Sequence, residues 1–249
     1  MIDKLELNSK AQELRIKLGE DPNSPIDIFK MVTQIDKLTI VQYPLGQNIS
    51  GICIKDSEIK LIAVNSQMSY GRQRFSLAHE LYHLYYDNDK AFNVCAKQFD
   101  VKPENEICAD IFASFFLAPY TSLKTKLAEM CPDKKISLGN IIMLEQFYGI
   151  SHQALLWRLK SENYIKATDV RKYLSGIIQM AISLGYDTKL YIPTESENQR
   201  RTYGHYIRQI EQLKDRHLVS DGKIDELLLD AYRDDIVYGT ELNTGEEVD

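Results

Sequence analysis

The stretch Arg74-Phe-Ser-Leu-Ala-His79-Glu80-Leu-Tyr-His83-Leu-Tyr-Tyr86 decides how the rest of the chain is read. Its apolar residues recur at helical spacing. On a helix, His79 and His83 share one face, with Cβ atoms roughly 5–6 Å apart. Two imidazole nitrogens at that separation converge on one Zn²⁺ at bonds of about 2.0–2.1 Å. Glu80, next to the first histidine, is placed to take a proton from a water on the metal rather than to bind it. The five-residue pattern alone arises by chance in on the order of one chain in a few hundred of this length. The residues that follow therefore carry the weight.

A catalytic zinc takes three protein ligands and keeps a fourth position open. A third histidine six residues on, with glycine between, is ruled out because Tyr86 and Asp89 occupy those places. The other solution is a glutamate on a following helix. Pro103-Glu-Asn-Glu106-Ile-Cys-Ala-Asp110-Ile-Phe-Ala-Ser-Phe-Phe-Leu117-Ala-Pro119 repeats its apolar residues at helical spacing, with proline at each end. Glu106, near its start, is assigned as the third ligand. Asp110 lies one turn later in an apolar run, where a carboxylate needs a partner. It is assigned as the acceptor for the second N–H of a metal-bound histidine, which fixes tautomer and ring orientation. One zinc per chain is expected. His205, His217 and several tyrosines are candidates for stabilising an oxyanion, and none is chosen. Cys108, and Cys95 in the loop before it, read as ordinary free thiols.

The 249 residues suffice for a sizeable core, and the composition, 44% hydrophobic and 27% charged, is that of a soluble globular protein. No run has the apolar length of a membrane span, and the first residues carry no export-signal pattern. Four scattered cysteines then point to free thiols in a cytoplasmic setting. The net charge of −6 argues against a polyanion-binding chain.

Outward from the motif, the sequence predicts an α+β fold. A helix is expected over Leu7–Leu18, with Asn8 or Ser9 as its cap, and a second over Ile26–Ile35, opened by Pro25. Leu38–Tyr43 reads as a strand, and Ile49–Ile54 with Ile59–Val64 as a hairpin turning at Asp56-Ser57. An edge strand of that hairpin beside the metal helix would suit pairing with an extended peptide. Asp87 onward reads as loop up to Pro103, and Tyr120–Met130 as a short helix.

Cys131-Pro-Asp-Lys-Lys135 marks a boundary. Beyond it, Ser137–Leu159 reads as two short helices joined at Tyr148-Gly149-Ile150, with Ser137 and Ser151 as caps. That is helix-turn-helix spacing, and His152, Gln153, Arg158 and Lys160 are what its second helix offers to DNA. The charge argues against such contact. Helical runs are expected over Val170–Leu184, Glu195–His217 and Lys223–Tyr232, with a β-like Lys189–Ile192, a capping turn at Ser220-Asp-Gly222 and a frayed acidic tail from Thr240. The predicted units are residues 1–133, 134–166 and 167–249.

Arg74-Phe-Ser-Leu-Ala-His-Glu-Leu-Tyr-His83, followed by Glu106-x-x-Ala109-Asp110-x-Phe112-Ala113-x-x-Phe116-Leu117-x-Pro119, resembles the ImmA/IrrE metallopeptidases. The Gly51 hairpin, Ile62-Ala-Val-Asn65 and the later helix pair share the likeness, which covers about residues 10–165. The resemblance implies a small zincin-like, gluzincin-type core: a short sheet and an active-site helix, followed by a mainly helical region. It implies zinc on His79, His83 and Glu106, and Glu80 as the base. It also implies a protein substrate, a helix-turn-helix repressor of mobile-element or stress genes encoded nearby. The contrasting reading is a non-catalytic anti-repressor or DNA-associated module with a structural zinc. Tyr82 stands where the family commonly has glycine and is expected to crowd the mouth of the site.

Overall fold

The computed structural model describes residues 2–87, 92–96, 103–133 and 135–239, with the backbone alone for 92–96. The places of Asp89, the Cys95 side chain and the tail from Thr240 lie outside the described residues. Helix α1 (Lys4–Lys17) begins a turn before the predicted start, because Asp3 rather than Asn8 or Ser9 accepts the first free N–H groups. The apolar period marks the buried face, and the first turn of α1 is exposed. Helix α2 (Ile28–Val32) is shorter than predicted and is capped by Asp27, not opened by Pro25. The Ile26 carbonyl is taken by the Arg74 guanidinium instead of a helical N–H.

Strands β1 (Leu38–Tyr43), β2 (Ile49–Lys55) and β3 (Lys60–Asn65) follow. In the β2–β3 turn, the Asp56 carboxylate accepts from Glu58 and Ile59 N–H, which fixes the hairpin register. Next come α3 (Tyr70–Tyr86), β4 (Phe92–Ala96), α4 (Glu104–Leu117) and α5 (Tyr120–Met130). They are followed by α6 (Leu138–Tyr148), α7 (His152–Ser161), α8 (Ile177–Ser183) and β5 (Arg201–Gly204). The described chain ends with α9 (His205–Asp215), α10 (Asp221–Asp230) and α11 (Asp234–Val237).

The strands form one mixed sheet in the order β4-β2-β3-β1-β5. β1 and β3 run parallel; the other neighbours are antiparallel. This is the predicted α+β class, with four corrections. Strand β4 lies in the stretch read as loop and pairs with β2, so the hairpin offers no edge strand beside α3. Strand β5 interrupts the run read as helix over Glu195–His217 and pairs with β1. Lys189–Tyr191 is a 3-10 turn rather than a strand, and Val170–Leu184 divides into a 3-10 turn and α8 at Gly176.

One apolar cluster runs from Leu7 of α1 through β1, β3, α3 and α4 to Leu155, Leu159 and Ile165. The α6–α7 pair shares that core with the helix carrying the histidines. Both predicted caps are present: Ser137 makes a capping box with Asn140, and Ser151 accepts from Ala154 N–H. Of the four side chains that the second helix is read as offering to DNA, two are buried. His152 sits between Glu145 Oε1 (2.6 Å) and the Tyr173 carbonyl (2.8 Å), and Arg158 lies over the Phe115 ring, bonded to Ser114 and Glu162.

Gly149 ends α6 at φ +61°, and a Cβ there would lie 2.6 Å from Arg74 Nε. Arg74 donates to the Gly149 carbonyl at 2.7 Å and to Ile26 at 2.6 Å, tying α6 and the α2 approach to α3. Gly149→Ala is expected to cost about 2–3 kcal/mol. The left-handed backbone accounts for about 1–2 of that, and the disturbed Arg74 hydrogen bonds supply the rest. Denaturant midpoints measure it; a loss under about 0.5 kcal/mol would refute the clash.

Candidate metal centre

Helix α3 is buried along most of its length between the sheet and α4, so its polar side chains have no water to turn to. His79 and His83 lie one turn apart with their Nε2 atoms 3.2 Å from each other. Glu106, in the first turn of α4, brings Oε2 to 3.2 Å from His79 Nε2 and Oε1 to 3.4 Å from His83 Nε2. Ligands at about 2.0–2.1 Å from a tetrahedral ion sit about 3.3–3.4 Å from one another. The three side chains therefore already stand at the spacing a zinc ion imposes, and among the described residues they form a group able to hold a metal.

The remaining ring nitrogens explain the orientation. His79 Nδ1 faces Asp110 Oδ1 at 3.0 Å, the pairing expected from sequence. His83 Nδ1 faces Asp87 Oδ2, also at 3.0 Å. A carboxylate opposite each Nδ1 makes that atom the N–H and leaves both Nε2 lone pairs turned toward Glu106. Glu80, Glu106, Asp110 and Asp87 crowd four carboxyl groups around two imidazoles, an arrangement that favours a cation. Of the two rings, His79 carries the same preference. Burial, the largest influence, pulls the His79 pKa down, yet Asp110, Glu106 and Glu80 outweigh it and raise it to about 9. His83 is lowered by burial and by its neighbour His79.

Glu80 is fully buried and lies against β2. The close approach depends on Gly51: a Cβ at that position would stand 3.0 Å from Glu80 Cγ and Cδ and nearer still to Oε1. Cys53, two residues along β2, is held as a thiol, its pKa pushed up to about 12 by burial and then by Glu80. Among the described residues it is not one of the side chains that converge as a metal-holding group.

Tyr82 does not stand at the mouth. It is buried in the core, with its ring 5.6 Å from Phe112 and 5.8 Å from Tyr86, and its hydroxyl meets Cys108. Its position on α3 turns it toward α4 rather than toward the sheet, so the larger residue fills helix packing. His205 opens α9 behind β5, at the edge of the sheet away from β4. His217 follows α9 with φ +51°. Sequence reasoning missed Asp87, although its signal was present: it falls four residues after His83 on the same helical row.

A cleft of about 880 Å³ over β1 and β5 is lined by Phe29, Gln42, Tyr70, Arg201 and Tyr203, and none of the metal-centre side chains borders it. No helix among the described residues is long and apolar enough to cross a membrane. No curated protein matches the chain. Residues 37–160, from just before β1 to the last turn of α7, match the family model described as the IrrE N-terminal-like domain, Peptidase_M78. That span holds both histidines, Glu80 and Glu106, and through it the chain belongs to the ImmA/IrrE family of metallopeptidases.

Proposed function

We propose that this chain is a zinc-dependent endopeptidase of the cytoplasm. Its substrate is a helix-turn-helix transcriptional repressor encoded nearby, and cleavage derepresses mobile-element or stress genes. The observation that carries the peptidase reading is the convergence of His79 Nε2, His83 Nε2 and Glu106 at 3.2–3.4 Å, one residue from a buried glutamate. Two imidazoles and one carboxylate are a donor set that catalytic zinc takes, with a fourth position left open.

A zinc ion on these three side chains supplies Lewis acidity to a water molecule and to the scissile carbonyl. The chain's own residues do the rest. Glu80 receives the proton of the attacking water at its carboxylate and returns it to the departing amide nitrogen. Its burial against Gly51 keeps bulk water from competing for that proton. Asp110 and Asp87 hold the imidazoles with N–H at Nδ1, so neither ring can turn its lone pair away from Glu106. That the chain's own helix pair spends His152 and Arg158 on internal contacts supports a substrate on a separate protein.

The test is co-expression of this chain with the helix-turn-helix protein of the adjacent gene. A shortened partner, appearing only with the native enzyme and suppressed by a zinc chelator, is the expected result. An intact partner beside a zinc-loaded enzyme would overturn the choice of substrate.

A further inference from the structure

We infer that Asp87 is the positioning residue of His83, set in place by Asn105 and Lys55 so that both zinc-binding histidines are braced by a carboxylate. The inference rests on the metal-centre reading above and deepens it. Asp87 is the first residue past α3, where the backbone leaves helical angles (φ −98°, ψ 92°). An acidic side chain at a helix C-terminus has the wrong sign for the helix dipole and is there disfavoured on stability grounds alone.

The surroundings show what offsets it. Lys55, the last residue of β2, places Nζ on the carbonyl of His83 (2.6 Å), on that of Leu84 (3.3 Å) and on that of Asp87 itself. One ammonium thus closes the C-terminus of α3 with three hydrogen bonds and brings a positive charge beside Asp87. Asn105, the neighbour of Glu106, donates Nδ2–H to Asp87 Oδ2 at 3.1 Å. The oxygen that Asn105 holds is the one that faces His83 Nδ1 at 3.0 Å. His83 is only 2% exposed and Asp87 14%, so water competes little for that bond.

The cluster draws on β2, the end of α3 and the start of α4, the same three elements that carry Gly51, Glu80 and Glu106. A carboxylate in this position fixes the Nε2 lone pair and makes it more basic, which a backbone carbonyl does less strongly. Helix capping does not need the Asp87 side chain, since Lys55 bonds only to backbone carbonyls.

The experiment compares full-length native protein with Asp87→Ala and Asp87→Asn, each stripped of metal and titrated with Zn²⁺ against a chromophoric chelator. Asp87→Ala is expected to weaken zinc by about 10–100-fold. Asp87→Asn is expected to lose less, since the amide oxygen still accepts from Nδ1–H without the charge. The metal-free Asp87→Ala protein is expected to melt somewhat lower, because His83 Nδ1 and Asn105 Nδ2 lose their buried acceptor; a merely structural aspartate would lower that midpoint and leave the zinc affinity of the folded protein unchanged. Zinc binding by Asp87→Ala within twofold of native overturns the inference and leaves the metal centre standing. A native chain that takes up no zinc brings down both. The isosteric asparagine variant keeps the comparison open should alanine fail to fold.

Discussion

Glu80→Gln is expected to yield a folded protein that binds zinc and cuts its substrate about 10²–10⁴-fold more slowly, the range a positioned general base contributes. The substitution keeps shape and volume in a site where Glu80 is fully buried. It removes one of four clustered carboxylates while Glu106 and Asp110 stay on His79 and Asp87 stays on His83, so the fold is expected to be retained. None of the metal contacts is altered, because Glu80 is not among the three converging side chains. What disappears is the acceptor for the water's proton, since an amide cannot be protonated at neutral pH. Cleavage of the proposed repressor substrate, followed as single turnovers on gels, reads the rate; chelator competition and thermal melting read metal and fold. A variant that cleaves at the native rate would mean that another group takes the proton. A variant that fails to bind zinc would mean that Glu80 belongs to the ligand set.

How much of this was legible beforehand follows from how local each signal is. Strand β1 has its predicted bounds because Leu38, Ile40 and Gln42 alternate inward in six residues that contain the whole pattern. The caps Ser137 and Ser151 act within three residues of themselves, and both were readable. Strands β4 and β5 were not. Each is short, and each exists because it completes a ladder with a strand far away in sequence: β4 with β2, and β5 with β1. Local preference in Arg201–Gly204 is overridden by that pairing. The same distinction runs through the metal centre. His79 and His83 share a face by helical arithmetic alone, and Glu106 with Asp110 repeats that spacing. Their meeting at 3.2 Å depends on α3 packing against α4, which no local pattern contains. Asp87 was hidden by its neighbours, since Asp-Asn-Asp reads as loop and conceals that its first member still lies on the histidine row. Tyr82 was misplaced for a related reason. Helical geometry gives its angle around α3, but the position of α4 decides whether that angle faces the site or the core.

Gly51→Ala should separate the seating of Glu80 from the binding of metal. In an exposed strand, alanine for glycine would stabilise slightly by restricting the unfolded chain. Here the added methyl occupies space held by Glu80, 3.0 Å from Cγ and Cδ and closer to Oε1. Helix α3 cannot rise to make room: Asp110 grips His79, α4 packs along it, and Lys55 fixes its end to the strand that bears Gly51. The Glu80 side chain must therefore swing, and displacing a catalytic group by about 1 Å costs on the order of 10²-fold in rate. Stability is expected to fall by about 1–3 kcal/mol from overpacking. Zinc affinity should remain within a few-fold of native, because the atoms nearest an added Cβ at residue 51 all belong to Glu80 and not to His79, His83 or Glu106. Cleavage at the native rate by Gly51→Ala would show that the seat against β2 is not the productive one. The double variant with Glu80→Gln gives the sharper reading. If the methyl acts only through the carboxylate, the double variant cuts no more slowly than Glu80→Gln alone, since the second change then finds nothing left to displace. Multiplying losses would instead mean that Gly51 serves the substrate directly, through the backbone of β2.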